Sequence, residues 1–190
     1  MRVIAGEFRR RVLAAPRGMA TRPTSDRLRE TLFNVLAPRI AGALFLDLFA
    51  GSGAVGIEAL SRGAAEVVFV EKAASVVKVI RENLEMLGVR DRARVQTVGA
   101  GTFLRSSTGM FDVVFLDPPY EAAEEYAGTL GLLGGPAFGV LAEGSLVVAE
   151  HRRKEQLEER YGVLVRTRVL EQGDAGLSFY AAGAAQVPYE

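Results

Sequence analysis

Strands alternating with helices along the middle of the chain predict an α/β protein on a parallel, doubly wound sheet, with an antiparallel hairpin added near the C-terminus. Two observations carry this. Short apolar runs of strand length (residues 44–48, 67–70, 93–98, 113–116 and 145–149) are separated by stretches of helical periodicity. The first run passes through Gly51-Ser52-Gly53-Ala54-Val55-Gly56 straight into a helix. Open sheets of this kind bind ligands at the carboxyl ends of their strands.

The chain of 190 residues suits one sizeable domain with an appendage. It has no cysteine, which excludes disulfides, thiolate metal sites and a cysteine nucleophile and is compatible with a reducing cytoplasm. No apolar run approaches the ~20 residues that span a bilayer, so no membrane partner is expected. The first eight residues are too short and too broken to be a signal peptide. A net charge of zero conceals an asymmetry: residues 1–39 carry nine Arg against three acids, a net +6, and the rest carries −6. A basic arm on a slightly acidic body suits a protein that grips a polyanion at one end.

In order, residues 2–8 and 11–14 alternate loosely and suggest a short hairpin through Arg9 and Arg10. Residues 15–23 form a linker by composition. Thr24 is expected to cap a helix with Asp26 in its first turn, an apolar face of Leu28, Leu32, Val35 and Leu36, and a stop at Pro38. Arg22, Arg27 and Arg29 surround its start, where phosphates find charge and open amides. The strand at 44–48 leads through the glycine loop to a helix ending near Gly63. The next strand ends at Glu71, and the helix over 73–87 has Gly88 as its C-cap. The strand at 93–98, a short helix near 102–105 and the strand at 113–116 follow. After Asp117-Pro118-Pro119-Tyr120, residues 122–133 read as helix, 145–149 as strand and 154–160 as a short helix. Residues 162–170 and 177–181 make the final antiparallel pair around Gly173.

Two cofactors compete for the glycine loop. It fits G-x-G-x-x-G between strand and helix, with Glu71 twenty residues past Gly51 and placed for a ribose diol. That suits NAD and S-adenosylmethionine alike. Asp47, just before the loop, discriminates: a carboxylate repels a pyrophosphate but favours the cationic methionine end of S-adenosylmethionine.

Asp117-Pro118-Pro119-Tyr120 ends a strand with a charge and two rings that lack an N–H, so the turn offers acceptors only. The Asp117 carboxylate and the Pro118 carbonyl can bond both hydrogens of a planar amine, such as guanine N2. That twists the nitrogen toward a tetrahedral nucleophile. Tyr120 supplies a stacking face. Holding the partners in line is most of the catalysis. His151, the only histidine, stands before Arg152, Arg153 and Lys154 and reads as a solvated loop residue. No set of side chains has metal-ligand spacing, so no metal is expected.

Three segments together resemble the RsmD-type small-subunit ribosomal RNA guanine-N2 methyltransferases: residues 22–34, beginning Arg22-Pro23-Thr24-Ser25-Asp26, residues 47–63, beginning Asp47-Leu48-Phe49-Ala50-Gly51-Ser52-Gly53, and Asp117-Pro118-Pro119-Tyr120. The resemblance covers nearly the whole chain. It implies a Rossmann-like class I methyltransferase fold, seven strands in the order 3-2-1-4-5-7-6, and methylation of a guanine N2 in 16S rRNA. On this reading residues 1–40 are a basic RNA-contacting extension, 41–183 the S-adenosylmethionine-dependent domain and 184–190 a tail. Catalysis is assigned to Asp117, Pro118, Pro119 and Tyr120. Cofactor binding falls to Asp47, Phe49, Ala50, Gly51, Ser52, Gly53, Glu71, Lys72, Gly99, Ala100 and Asp117, and RNA contact to Arg10, Arg22, Thr24, Arg27 and Arg29. Gly99 stands where such enzymes place Asp or Asn for the adenine amine. The expected substrate is 16S rRNA within an assembling or assembled small subunit, the compartment the cytoplasm, and the state a monomer. An NAD(P)-dependent oxidoreductase, a DNA adenine-N6 methyltransferase and a non-catalytic RNA-binding module stay open as alternatives.

Overall fold

The apolar runs assemble into one mixed sheet in a computed structural model that describes residues 1–16, 25–119 and 123–182. In chain order the elements are α1 (Asp26–Ile40), β1 (Leu44–Leu48), α2 (Ala54–Ser61), β2 (Glu66–Val70), α3 (Ala74–Leu87), β3 (Ala93–Gln96) and α4 (Ala100–Ser106). There follow β4 (Phe111–Leu116), α5 (Ala123–Leu133), β5 (Leu141–Arg152), β6 (Arg160–Tyr161), β7 (Leu164–Gln172) and β8 (Ala175–Ala182). The strand order is β3-β2-β1-β4-β5-β8-β7-β6. The first five strands are parallel, and β8, β7 and β6 add antiparallel.

Leaving β6 aside, this is the predicted 3-2-1-4-5-7-6. The sheet nevertheless has eight strands rather than seven, because Arg160 and Tyr161 pair with Val165 and Leu164 across a turn at Gly162, whose φ is +57°. That pairing replaces the helix expected over 154–160. Leu157 is buried and Tyr161 packs on the cluster beneath β5, so this segment takes its conformation from the sheet edge.

Period-two alternation sorts the strands onto two cores. Phe45, Val67, Phe69, Val113, Phe115 and Val148 face a layer formed by α1, α2 and α3. Leu46, Leu48, Val114, Leu116, Val147 and Ala149 face α4 and α5. Among the described residues no helix is long and apolar enough to cross a membrane.

Two local expectations about α1 change. Thr24 lies outside the described residues, and the cap is Ser25, whose Oγ accepts the Leu28 N–H at 3.1 Å. Pro38 does not stop the helix, which continues to Ile40. A proline in the last turn forfeits one backbone bond, and burial of Ile40 in the α1–α3 core offsets it.

The N-terminal hairpin reduces to a ribbon with a single bridge, Arg2 to Val12, closed by Val3 N–H to Arg11 O and Arg10 N–H to Val3 O, each 2.9 Å. Its wide turn runs from Gly6 to Arg10 because it packs on the end of α2. A Cβ on Gly6 would lie 1.8 Å from the Ser61 carbonyl oxygen. The Ser61 Oγ accepts the Phe8 N–H at 2.9 Å, and Val3, Phe8 and Leu13 join the α1–α3 core.

Candidate active site

Four neighbouring parallel strands each deliver one acid to the same edge of the sheet. The register pairs Asp47 with Phe69 and with Phe115, and Phe115 with Val148. Counting on by two from Phe69, Phe115 and Val148 gives Glu71, Asp117 and Glu150, on the face that α1 to α3 cover. Asp47 lies one step deeper in the same row. All four line one cleft of about 1510 Å³, so the glycine loop and the proline turn, far apart in sequence, open onto a shared cavity.

The loop after β1 is held by its own acids. Asp47, 1% exposed, accepts the Gly56 N–H on Oδ2 at 2.9 Å and ties the strand end to the first turn of α2. Glu71 accepts the Gly51 N–H at 3.2 Å on one oxygen and the Ala73 N–H at 2.8 Å on the other, bracing loop and α3 together. Phe49 adopts φ +60°, a conformation that costs a non-glycine residue about 1–2 kcal/mol and is retained where the surroundings fix it. The next amide, Ala50 N–H, is bonded to Val70 O at 3.0 Å. Gly53, at φ +79°, is the N-cap of α2 and carries no capping side chain, so the Gly56 N–H in the first turn is satisfied by Asp47 instead. Gly56 is needed for packing: a Cβ there would lie 2.3 Å from the Phe69 ring.

Gly99 caps α4 and lines the cleft, and a Cβ built on it meets nothing within 4 Å. Ala100 and the exposed Lys72 complete this end. At the other end stand Asp117, the buried Pro118 and the exposed Pro119, while Tyr120 lies outside the described residues.

Two of the four acids, Asp47 and Asp117, are pushed toward their protonated forms. Burial pushes the Asp47 carboxyl up to about 8, with Glu71 adding to the rise and the Gly56 N–H opposing it. Asp117 is raised well above the usual carboxylate range, first by burial and then by Glu150 and Asp47. A cation entering the cleft favours the ionised acids, whereas an anion meets a repulsive row.

The arginines expected at the helix start separate. Arg27 is exposed and lines the cleft, and Arg10 is exposed on the N-terminal turn. Arg22 and Thr24 fall outside the described residues. Arg29 is completely buried: its Nη2 donates to Asp26 at 3.0 Å and to the Arg2 carbonyl at 2.6 Å, and its Nε lies 3.7 Å from Glu58. It belongs to the fold's interior rather than to an RNA-facing surface. The helical spacing 29, 33, 36, 40 puts it on the buried face and was the signal for this. His151 is likewise not a loop residue. It sits buried on β5 opposite Gly176, with Nε2 2.9 Å from Ser178 Oγ and Nδ1 2.8 Å from the Arg152 carbonyl oxygen.

One residue was missed. Glu150, 2% exposed, lines the cleft beside Asp117, and the Tyr126 hydroxyl donates to its backbone carbonyl at 2.9 Å. Its sequence signal was an acid closing an apolar strand, as Asp47 and Asp117 do.

Comparison with known proteins shows the family. The family model described as "Conserved hypothetical protein 95" matches residues 1–181. Ribosomal RNA small subunit methyltransferase D of Escherichia coli K12 is 43% identical over 152 residues, 79% of this chain and 74% of that protein. YlbH of Bacillus subtilis, provisionally named an rRNA methyltransferase, is 39% identical over 184 residues, 95% of this chain and 98% of its own. The solved structure of a hypothetical protein from Thermus thermophilus superposes with a TM-score of 0.78 at 34% identity, covering 94% of this chain and 98% of that one. With a family model over residues 1–181 and relatives of this identity and coverage, the chain belongs to the RsmD-type family of small-subunit rRNA methyltransferases.

Proposed function

We propose that this protein transfers a methyl group from S-adenosylmethionine to the exocyclic N2 of a guanine in 16S rRNA. The observation that carries the reading is the shared cleft, onto which the glycine loop after β1 and the acceptor-only turn after the neighbouring β4 both open. Relatives named as small-subunit rRNA methyltransferases support the same substrate. Bound S-adenosylmethionine supplies an electrophilic methyl carbon on a positively charged sulfur, and the residues present fit that charge. Glu71, Asp47, Asp117 and Glu150 attract a cation and would repel a dinucleotide's pyrophosphate. Glu71 would hold the ribose hydroxyls, the loop from Asp47 to Gly53 the methionine end, and the segment at Gly99 and Ala100 the adenine.

The chain's own groups then position the target. The Asp117 carboxylate and the Pro118 carbonyl accept the two amine hydrogens and aim the nitrogen lone pair. Asp117, whose proton affinity burial and its neighbours raise, takes the proton that the methylated amine releases. The exposed Arg10 and Arg27, in the extension of residues 1–40, contact the phosphate backbone, and residues 41–183 carry the chemistry. The reading extends to a cytoplasmic monomer acting on rRNA within an assembling or assembled small subunit. Comparing naked rRNA with subunits as substrate, and sizing the protein in solution, tests that extension.

The central test is Asp117→Ala. S-adenosylhomocysteine binding, measured by calorimetry, stays close to wild type, while methyl incorporation into small-subunit RNA falls by at least ~10²-fold. Undiminished turnover by the variant refutes the assignment.

A further inference from the structure

At about 1510 Å³ the cleft exceeds the roughly 300–1,000 Å³ that a site for one small molecule occupies. On the β5 side, away from the glycine loop, its wall is of a different character. Arg27 lines it from the start of α1, and Arg153 and Lys154 from the turn after β5. All three are exposed. Residues 40–190 carry a net −6, so the three consecutive cations at 152–154 stand out against the body around them.

Two fixed contacts bring these cations, far apart in sequence, to one end of the cleft. Thr31 lies one turn along α1 from Arg27, and its Oγ1 donates to the Arg27 carbonyl oxygen at 3.1 Å and to Gln172 Oε1 at 3.2 Å. The Arg153 N–H donates to the Asp174 carbonyl at 2.8 Å, and Arg152 pairs with Ala175 between β5 and β8. The start of α1 and the turn after β5 are thus both tied to the β7–β8 turn at residues 172–175. Height along the strands matters too. Leu116 pairs with Ala149, so Asp117 stands level with Glu150, and β5 runs two residues further to Arg152. The end of β5 therefore lies about 7 Å beyond the level of Asp117, with Arg153 and Lys154 following in the turn.

Strand-end acids refuse a polyanion, and cations set above them attract one. A base enters such a cleft with its backbone left outside. We propose that Arg153 and Lys154, together with Arg27, form a rim that holds the rRNA phosphates flanking the target nucleotide. The grip on RNA is then shared between the N-terminal extension and a turn in the C-terminal half of the chain. Acids at this end do not close the rim: Asp174 also lines the cleft and Glu171 pairs with Arg153 at 2.9 Å, but these side chains are exposed. Exposed pairs contribute little, so Arg153 can exchange Glu171 for a phosphate, to which a guanidinium offers two parallel bonds. Lys154 adds a point charge. Contacts of this kind position a strand without reading its sequence.

This inference rests on the reading of the protein as an rRNA methyltransferase, and the test separates the two. Binding to unmethylated small-subunit particles is measured over about 50–200 mM salt at fixed magnesium, alongside methyl incorporation and calorimetric binding of S-adenosylhomocysteine. Each phosphate contact adds about 0.7–0.9 to the slope of log Kobs against log salt, so the double variant Arg153→Gln with Lys154→Gln is expected to lose roughly 1.5 of it. Its KM for the RNA should rise by about tenfold, while its affinity for S-adenosylhomocysteine stays unchanged. The pair Arg153→Lys with Lys154→Arg keeps both charges and is expected to keep the slope. Arg39→Gln is the control. It removes a cation from the last turn of α1, where Arg39 bonds the Gly144 carbonyl at the opposite edge of the sheet, and the slope should stay as in wild type. An unchanged slope in the double Gln variant, or an equal fall in Arg39→Gln or in the charge-keeping pair, overturns the rim. Wild-type protein that binds with this salt dependence yet methylates no guanine N2 leaves the rim standing and overturns the proposed function instead.

Discussion

Replacing Glu58 by Gln tests how the N-terminal ribbon is fastened to the cofactor loop. The Glu58 carboxylate is fully buried on α2, which begins at the loop. One oxygen accepts the Ala5 N–H at 3.0 Å and the Arg62 Nε–H at 2.8 Å. The other accepts the Ile4 N–H at 2.8 Å and faces Arg29 Nε at 3.7 Å. A glutamine of the same shape keeps one acceptor and turns an NH₂ toward donors. It therefore breaks at least one charge-assisted bond, worth about 1.5–3 kcal/mol, and leaves the buried Arg29 cation with Asp26 as its remaining acid partner. The expected loss is roughly 4 kcal/mol of unfolding free energy, read from urea titration. Arg29→Met should cost much less, because two of the Arg29 nitrogens, Nε and Nη1, are buried with no hydrogen-bond partner among the described residues and their removal relieves that penalty. The double variant should be more stable than the two single losses predict when added. If Glu58→Gln unfolds within about 1 kcal/mol of wild type, or Arg29→Met proves the costlier change, the charged hub is not what joins ribbon to helix.

Three other outcomes follow from the site. Gly56→Ala forces a methyl to 2.3 Å from the Phe69 ring, and thermal unfolding should register a loss of about 1–3 kcal/mol from overpacking. Gly99→Asp meets open space at the N-cap of α4, so its stability should match or slightly exceed wild type, by a few tenths of a kcal/mol. The new carboxylate should tighten S-adenosylhomocysteine binding in calorimetry. The third outcome concerns pH. Asp47 is raised from 3.8 to about 8 in the folded protein, so between those values the folded state keeps a proton that the unfolded chain has lost. The unliganded protein should then lose stability as pH rises from about 4 to 8, by on the order of 5 kcal/mol from this group alone. A cationic donor prefers the ionised acid, so S-adenosylmethionine binding at pH 7 should release protons and strengthen toward pH 8. Calorimetry in buffers of different ionisation enthalpy reads that release, and equal heats in all buffers would rule it out.

Much of this protein is local in origin and could be read directly from the chain. The glycine loop announces itself because glycine takes the left-handed turn at Gly51 and Gly53 without the steric cost that other residues meet there. The proline turn does so because Pro118 and Pro119 remove donors wherever they are placed. Alternation of strand and helix predicts that the first five strands run parallel, while their order is what the family resemblance implies.

What the tertiary structure decided depends on neighbours that are distant in sequence. Arg29 looked like a surface cation, and its burial follows from Glu58, 29 residues away on α2. His151 and Glu150 took their environments from β8 and β4, and Ser25 caps α1 through its bond to Leu28. Composition records charge and size, but whether a charge is solvated or enclosed is fixed by which strand lies alongside. For that reason the acids at the strand ends become one site only in the folded sheet.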